Sequence, residues 1–392
     1  MNKKILTAIC LIIGASLFCC TKFFVQNHFP QKTVVQFASW GSESEISILK
    51  PILEDFEKQN PNIKINFLHI PQNYFQKIHL LFASNTAPDV IFINNQYLPV
   101  YANAGVLEDL TPYTENFELN KFYKKSVESL SWKNKVYAIP RDISNLVIFY
   151  NKDIFDKNNV PYPKQNWTFK EFLQTGQKLT HTPDVFGISF EEEPLFFLPY
   201  LTSEGGGFEE NKFNSETSKQ ALAFYSDLRN KYHIAPRKEE AASATMAQMF
   251  LQGKLAMHLS GRWLVPKYRQ EAKFDWDITE FPHGKKGSIV PLDSSGWAIA
   301  KSSKHKQEAI KLIQYLSSSE SSIEFTKSGL IVPARIDVAE SNVFLDNQKP
   351  KNAKVFLSVI ETSQPTHVSV NYREVLDNIK KQTEYIFNKK NN

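Results

Sequence analysis

Apolar positions recur in two rhythms along this chain, every second residue or every third and fourth, and the rhythm changes at turn-forming residues. Residues 33–39 are a β-branched and aromatic run that ends at Trp40-Gly41 and predicts a strand. Ser42 and Glu45 have capping-box spacing, and Leu49, Ile52, Leu53 and Phe56 follow at helical intervals until Asn60-Pro61. Ile63, Ile65 and Phe67 alternate as a half-buried strand. Phe75, Ile78, Leu81 and Phe82 share one face of a second helix over about 74–84. Pro88-Asp89 introduces a compact apolar strand over 90–93, closed by Asn94-Asn95. Strand, helix, strand, helix, strand predicts a parallel sheet flanked by helices. Sheets of this kind bind ligands beyond the carboxyl ends of their strands, which selects Trp40, Gly41, His69, Asn94 and Asn95.

Length and charge narrow the class. A chain of 392 residues suits about two domains. With 13% aromatic and 22% charged residues it has the composition of a folded globule, and a scattered net charge of +5 is no footprint for nucleic acid. Its three cysteines, Cys10, Cys19 and Cys20, all fall in the first twenty residues.

Those first residues read as an export signal. Lys3 and Lys4 precede an apolar run of 14 residues, Ile5 to Phe18, shorter than the roughly 18–20 that span a bilayer as a helix. Leu17-Phe18-Cys19-Cys20 resembles the lipobox of bacterial lipoproteins, which implies cleavage before Cys20 and a diacylglycerol on its sulfur. Cys19, where that pattern has Gly, Ala or Ser, is the rival position, and a cleaved signal that releases a soluble periplasmic protein is the alternative. The divisions expected are a signal peptide at 1–19 and a tether at 20–32. The thiol-free remainder has no cysteine for a disulfide, a metal or nucleophilic catalysis.

Downstream, Tyr137-Ala138-Ile139-Pro140-Arg141-Asp142 leads into Leu146-Val147-Ile148-Phe149-Tyr150-Asn151-Lys152-Asp153-Ile154-Phe155. This segment resembles the signature of the family 1 extracellular solute-binding proteins, sugar-binding receptors of ABC importers related to maltose-binding protein. Arg141 stands where the strict signature has an apolar residue. The likeness continues in family order at 167–172, 205–207, 250–257, Gly261-Arg262-Trp263, Ser295-Gly296-Trp297-Ala298-Ile299, a helix over about 304–316, Gly329 and Pro333-Ala334-Arg335. It implies an α/β fold of two discontinuous lobes, 33–141 with 296–334 and 142–295 with 335–392, joined by a hinge around a ligand cleft. It also implies a monomeric receptor that captures a sugar or polyol and docks on membrane permease subunits. An anionic solute such as glycerol 3-phosphate is the alternative.

The resemblance and the lobe crossings select Trp40, Gly41, Asn94, Asn95, Arg141, Asp142, Gly206, Arg262, Trp263, Gly296, Trp297 and Arg335 as ligand-binding candidates. Tryptophans offer faces to sugar C–H groups and amides offer planar hydrogen bonds; each also has a core or structural reading. The three arginines would hold a carboxylate or phosphate, or bridge the lobes. Enzyme chemistry finds no support: the nine histidines form no His-Glu-x-x-His array, and there is no phosphate-cradling glycine loop and no Gly-x-Ser-x-Gly elbow. No cofactor or metal is expected. The run Glu191-Glu192-Glu193 reads as solvated surface, with a glycoside hydrolase the remote alternative.

Overall fold

A computed structural model describes residues 32–388; the export segment, both candidate lipidation cysteines and the tether up to residue 31 lie outside the described residues. The first strand, β1 (Thr33–Ser39), begins half-exposed and finishes fully buried. Ser42 then caps α1 (Glu43–Gln59) by accepting the Glu45 N–H at 3.3 Å. Only half of the expected capping box forms, because the Glu45 carboxylate turns to Arg141 at 2.8 Å. Strand β2 (Ile63–His69) alternates as its sequence predicts, α2 (Tyr74–Ala83) buries Tyr74 and Ile78, and β3 (Val90–Asn94) is buried until its last residue. Strand β1 pairs in parallel with both β2 and β3.

The chain next forms β4 (Ala138–Ser144) and, after the single residue Asn145, β5 (Leu146–Asn151). Helix α3 (Phe169–Leu179), β6 (Phe186–Ile188), α4 (Pro194–Glu204), α5 (Glu216–Asn230), β7 (Leu255–Gly261) and β8 (Trp276–Thr279) follow. The remainder supplies β9 (Pro291–Ile299), α6 (Lys306–Leu316), α7 (Ser319–Lys327), β10 (Val332–Pro333), α8 (Val355–Thr362), β11 (Gln364–Pro365) and α9 (Tyr372–Phe387).

Two main sheets result, one per lobe, besides a two-stranded pair of Ser131–Trp132 with Lys135–Val136. The larger runs β10-β4-β9-β3-β1-β2, with β11 beside β9; the smaller runs β8-β5-β7-β6. Strands β4 and β9 belong wholly to the larger sheet. The chain therefore passes to the smaller one at Asn145 and returns between Thr279 and Pro291. Strand β9 is antiparallel to β3 and β4 with a bulge at Ser295-Gly296, and β6 is parallel to β7.

The larger lobe packs α1 on its sheet through Leu49, Ile52, Leu53 and Phe56, all buried. At the centre, Trp297 meets Phe37 edge-on at 5.5 Å and lies 4.6 Å from Phe92, ring geometries that add to the gain from burial. The smaller lobe gathers Phe190, Phe197, Tyr200 and Tyr225 between its sheet and α4, α5 and α9.

Candidate ligand cleft

Strand direction decides where the two lobes present their edges. In the larger sheet the carboxyl ends of β1, β2 and β3 carry Trp40-Gly41, His69 and Asn94-Asn95-Gln96. Antiparallel β9 starts at the same edge, since Ser295 pairs with Asn94 and the Asn95 N–H donates to the Ser294 carbonyl at 3.0 Å. In the smaller sheet, parallel β6 and β7 release Ser189 to Phe196 and Gly261 to Trp263 at one edge. Strand β5 enters there too, Leu146 pairing with Gly261 directly after the crossing at Asn145. The crossing holds these two edges against each other.

Between them lies a cavity of about 270 Å³, just under the usual range for small-molecule pockets of about 300–1,000 Å³. The larger lobe contributes Gln96 and Asp293. The smaller contributes Glu193, Pro194, Leu195 and Phe196 at the head of α4, and Tyr372, Leu376 and Lys380 from α9. The Asp293 carboxylate is held by two amides, accepting from Asn95 at 2.9 Å and Gln96 at 3.1 Å. Burial, and then the charge of Asp293, push the Tyr372 phenol up. Glu193 pairs with Lys380 at 2.7 Å. Leu198, Phe208 and Thr366 are shared with a smaller adjoining cavity that reaches Gly206, Glu209, Lys212 and His367. The lining thus combines apolar walls with carboxylates, amides and a phenol.

The candidates from the sequence separate into those at the cleft edges and those used internally. Trp40 stands half-buried at the rim, against Tyr74, Phe75 and Phe92. The Gly41 carbonyl lies 3.0 Å from His69 Nε2. Asn94 Oδ1 accepts the Tyr97 N–H at 3.2 Å and stays half-exposed. Asn95 is buried and spends its amide on Asp293 and on the Ser294 N–H. Trp263 is 37% exposed, the one tryptophan among the large exposed apolar side chains. Its ring occupies the space a side chain at Gly261 would need, so that glycine is what lets the indole lie across the edge of the sheet.

Trp297 and Gly296 take other roles. Trp297 is 0% exposed and offers no face to a solute, so the expectation of a stacking platform is corrected to a core residue. Gly296 gives close strand approach, because a Cβ there would collide with the Ile139 carbonyl and come within 2.8 Å of Leu130 Cδ1.

The arginines also differ from the expected anion cluster. Arg141 is buried between Asp142 at 2.5 Å and Glu45 at 2.8 Å, with its guanidinium 4.2 Å from the Phe92 ring centroid. Burial opposes its charge, but the two carboxylates hold its pKa above the ordinary value. Burial raises the Asp142 carboxyl despite the adjacent guanidinium. Arg335 is clamped by Asp337 at 2.7 Å and Glu118 at 3.3 Å, against Phe122. Arg262 is buried with no partner among the described residues for any guanidinium nitrogen, and stacks 4.0 Å over Phe344. Burial, reinforced by Arg269, brings its pKa down to about 9.

Sequence reasoning missed Gln96, Asp293, Tyr372 and the Glu193–Phe196 wall. One signal was available for the last: an acidic run directly after a strand and before an apolar helix sits at a carboxyl edge. Nothing local marks Asp293 or Tyr372, which reach the site by tertiary packing.

The match that decides the family is to the bacterial extracellular solute-binding protein model over residues 52–353, well over half the chain. The protein belongs to that family. Its members are substrate-binding proteins rather than enzymes, exported and serving permease partners. The chain is 24% identical over 344 residues to the maltodextrin-binding protein of Bacillus subtilis, covering 81% of this chain and 77% of that one. It is 20% identical over 378 residues to the galactooligosaccharide-binding protein of the same organism, covering 91% and 86%. A Listeria monocytogenes ABC substrate-binding protein solved with cycloalternan superposes with a TM-score of 0.84 at 26% identity, covering 91% and 94%. This solute-binding protein shares the two-lobed architecture. No helix among the described residues is long and apolar enough to cross a membrane.

Proposed function

We propose that this protein is the sugar-capturing component of an ABC importer, taking a neutral oligosaccharide into the interlobe cavity and presenting it to the permease. The observation that carries this reading is the cavity itself, walled by both lobes and lined by Asp293, Gln96, Glu193 and Tyr372 beside apolar surface. Such a lining suits hydroxyl groups and C–H faces, and its carboxylates disfavour an anion. The relatives that bind maltodextrin, galactooligosaccharide and cycloalternan support a sugar. Trp40 and Trp263 lie outside that lining, at strand-end positions of opposite lobes, and with Asn94 and Gly41 they would extend the contact surface for a longer oligosaccharide. Since binding biases an open–closed equilibrium only through contacts better made when closed, a solute touching both lobes draws them together.

The anionic alternative rests on the arginines, yet Arg141 and Arg335 are already neutralised by carboxylates of this chain, and the guanidinium of Arg262, without a partner among the described residues, is buried away from solvent. A melting screen of mature protein with maltotriose, galactotriose, cycloalternan and glycerol 3-phosphate tests the choice. A rise with a neutral sugar alone supports the reading, and a rise with glycerol 3-phosphate alone overturns it. Product release from any of the sugars would instead mark a hydrolase. The protein is further proposed to be anchored through Cys20. Loss of Cys20→Ala from the membrane fraction is the expected result, and its retention there would move the anchor elsewhere.

A further inference from the structure

The three successive carboxylates at 191–193 have different surroundings. Glu192 is bracketed by Arg229 at 2.7 Å and Lys238 at 3.0 Å. Glu193 meets Lys380 on the cavity wall. The Glu191 carboxylate has no ion pair and no hydrogen bond among the described residues, although Glu191 is partly buried. Its backbone is pinned: the N–H donates to Tyr225 Oη at 3.0 Å and the carbonyl accepts from that hydroxyl at 2.8 Å. The direction of this residue is therefore set by α5.

Topology places it at the cleft. Glu191 leaves β6 at the carboxyl edge where Trp263 leaves β7, two residues before the first cavity-lining residue of its segment. The groups around it are Glu193 on its own segment, Tyr225 and Arg229 of α5, and Tyr268 after β7; its charge acts on both phenols. Burial first, and Glu193 second, push its carboxyl up to about 7. Glu191 itself lies outside the cavity lining, which starts at Glu193; at the same sheet edge, an acceptor without a donor lacks the partner that a solute hydroxyl supplies.

We propose that Glu191 is a recognition residue of the cleft, whose carboxylate accepts hydroxyl donors from a neutral polyhydroxy solute and thereby makes capture depend on pH. The inference rests on the importer reading above. Donors from the solute favour the charged carboxylate, so the bound protein holds its proton less tightly than the free protein and binding releases protons. Affinity then strengthens as pH rises towards 7, by about tenfold for each pH unit by which binding lowers the carboxyl pKa. Within the cavity lining an anionic solute would meet Glu193 and Asp293 against Lys380.

Calorimetric titration of the mature protein with maltotriose and galactotriose at pH 6, 7 and 8, in buffers of unlike ionisation heat, provides the test. Wild type is expected to bind about tenfold more tightly at pH 8 than at pH 6 with proton release. Glu191→Gln, nearly the same shape, should bind with no pH dependence, and Glu192→Gln should keep the wild-type profile. A Glu191→Gln protein with the wild-type affinity and profile overturns the proposal. A wild type that takes up neither sugar at any pH but binds glycerol 3-phosphate overturns the neutral-sugar reading itself, and this inference with it. Melting curves of each variant establish that it is folded.

Discussion

Replacing Arg262 by methionine should make this protein more stable, although it removes a charged residue from the family-signature region. Arg262 is 2% exposed, and its guanidinium has no hydrogen-bonding partner among the described residues and rests on Phe344 and Phe356. The fall of its pKa to about 9 corresponds to about 4–5 kcal/mol of charge burial as an upper bound. Measured exchanges of buried ions for apolar residues of similar volume recover less, about 1–4 kcal/mol. Methionine keeps the contact with both rings and adds no polar atom. For a base whose pKa is lowered by folding, the cost is fully present below the folded value and fades as pH rises past it, here about 9. Urea unfolding should therefore show a higher midpoint for Arg262→Met at pH 7, with unchanged slope, and a smaller gap at pH 10. A variant less stable than wild type by more than about 1 kcal/mol would refute the reasoning, because it would mean the guanidinium is partnered in solution. Sugar affinity should stay within about threefold, since no guanidinium nitrogen reaches solvent; its loss would give Arg262 a direct role in the cleft.

Other residues test the separation of core from cleft. Trp263→Ala should leave the urea midpoint nearly unchanged, because the ring is more than a third exposed, yet weaken oligosaccharide binding by about 1 kcal/mol or more; unaltered binding would remove Trp263 from the site. Gly296→Ala should cost about 1–3 kcal/mol through collision with the Ile139 carbonyl, measured in the same denaturation. Glu191→Gln should equal wild type in stability near pH 4.5 and exceed it at pH 8. A carboxyl raised to about 7 stabilises the fold only while protonated, and that contribution is lost as pH rises from about 4.5 to 7. With part of the carboxyl still hydrated, about 1–2 kcal/mol is expected rather than the full value. A gap that is constant with pH would show that Glu191 titrates normally.

The larger lobe was legible where structure follows local rules. Period-two strands, a period-3.6 helix and turn residues between them placed β1 to β3 and both helices within a residue or two, since each boundary is set by neighbours in sequence. The distant partners of the arginines were not legible, although Asp142 and Asp337 stand beside them in sequence. Arg141 is neutralised by Glu45, 96 positions away by their numbers, and Arg335 by Glu118, separated by 217. Those carboxylates convert apparent anion ligands into internal pins. Trp263 and Trp297 carry the same sequence cue, a neighbouring glycine, and end in opposite environments. Gly261 makes room for an indole at an edge, while Gly296 makes room for a backbone in mid-sheet. Asp293 and Tyr372 come from segments without any motif and meet only when β9 and α9 converge on the cavity.

The central claim is that one solute is held by both lobes and closes them. Small-angle X-ray scattering of the mature protein, titrated with the oligosaccharide that gives the strongest melting shift, tests it most directly. The account predicts a radius of gyration that falls in step with saturation, and for Trp263→Ala falls only at a sugar concentration higher by about fivefold or more. Saturable binding with an unchanged radius would contradict it.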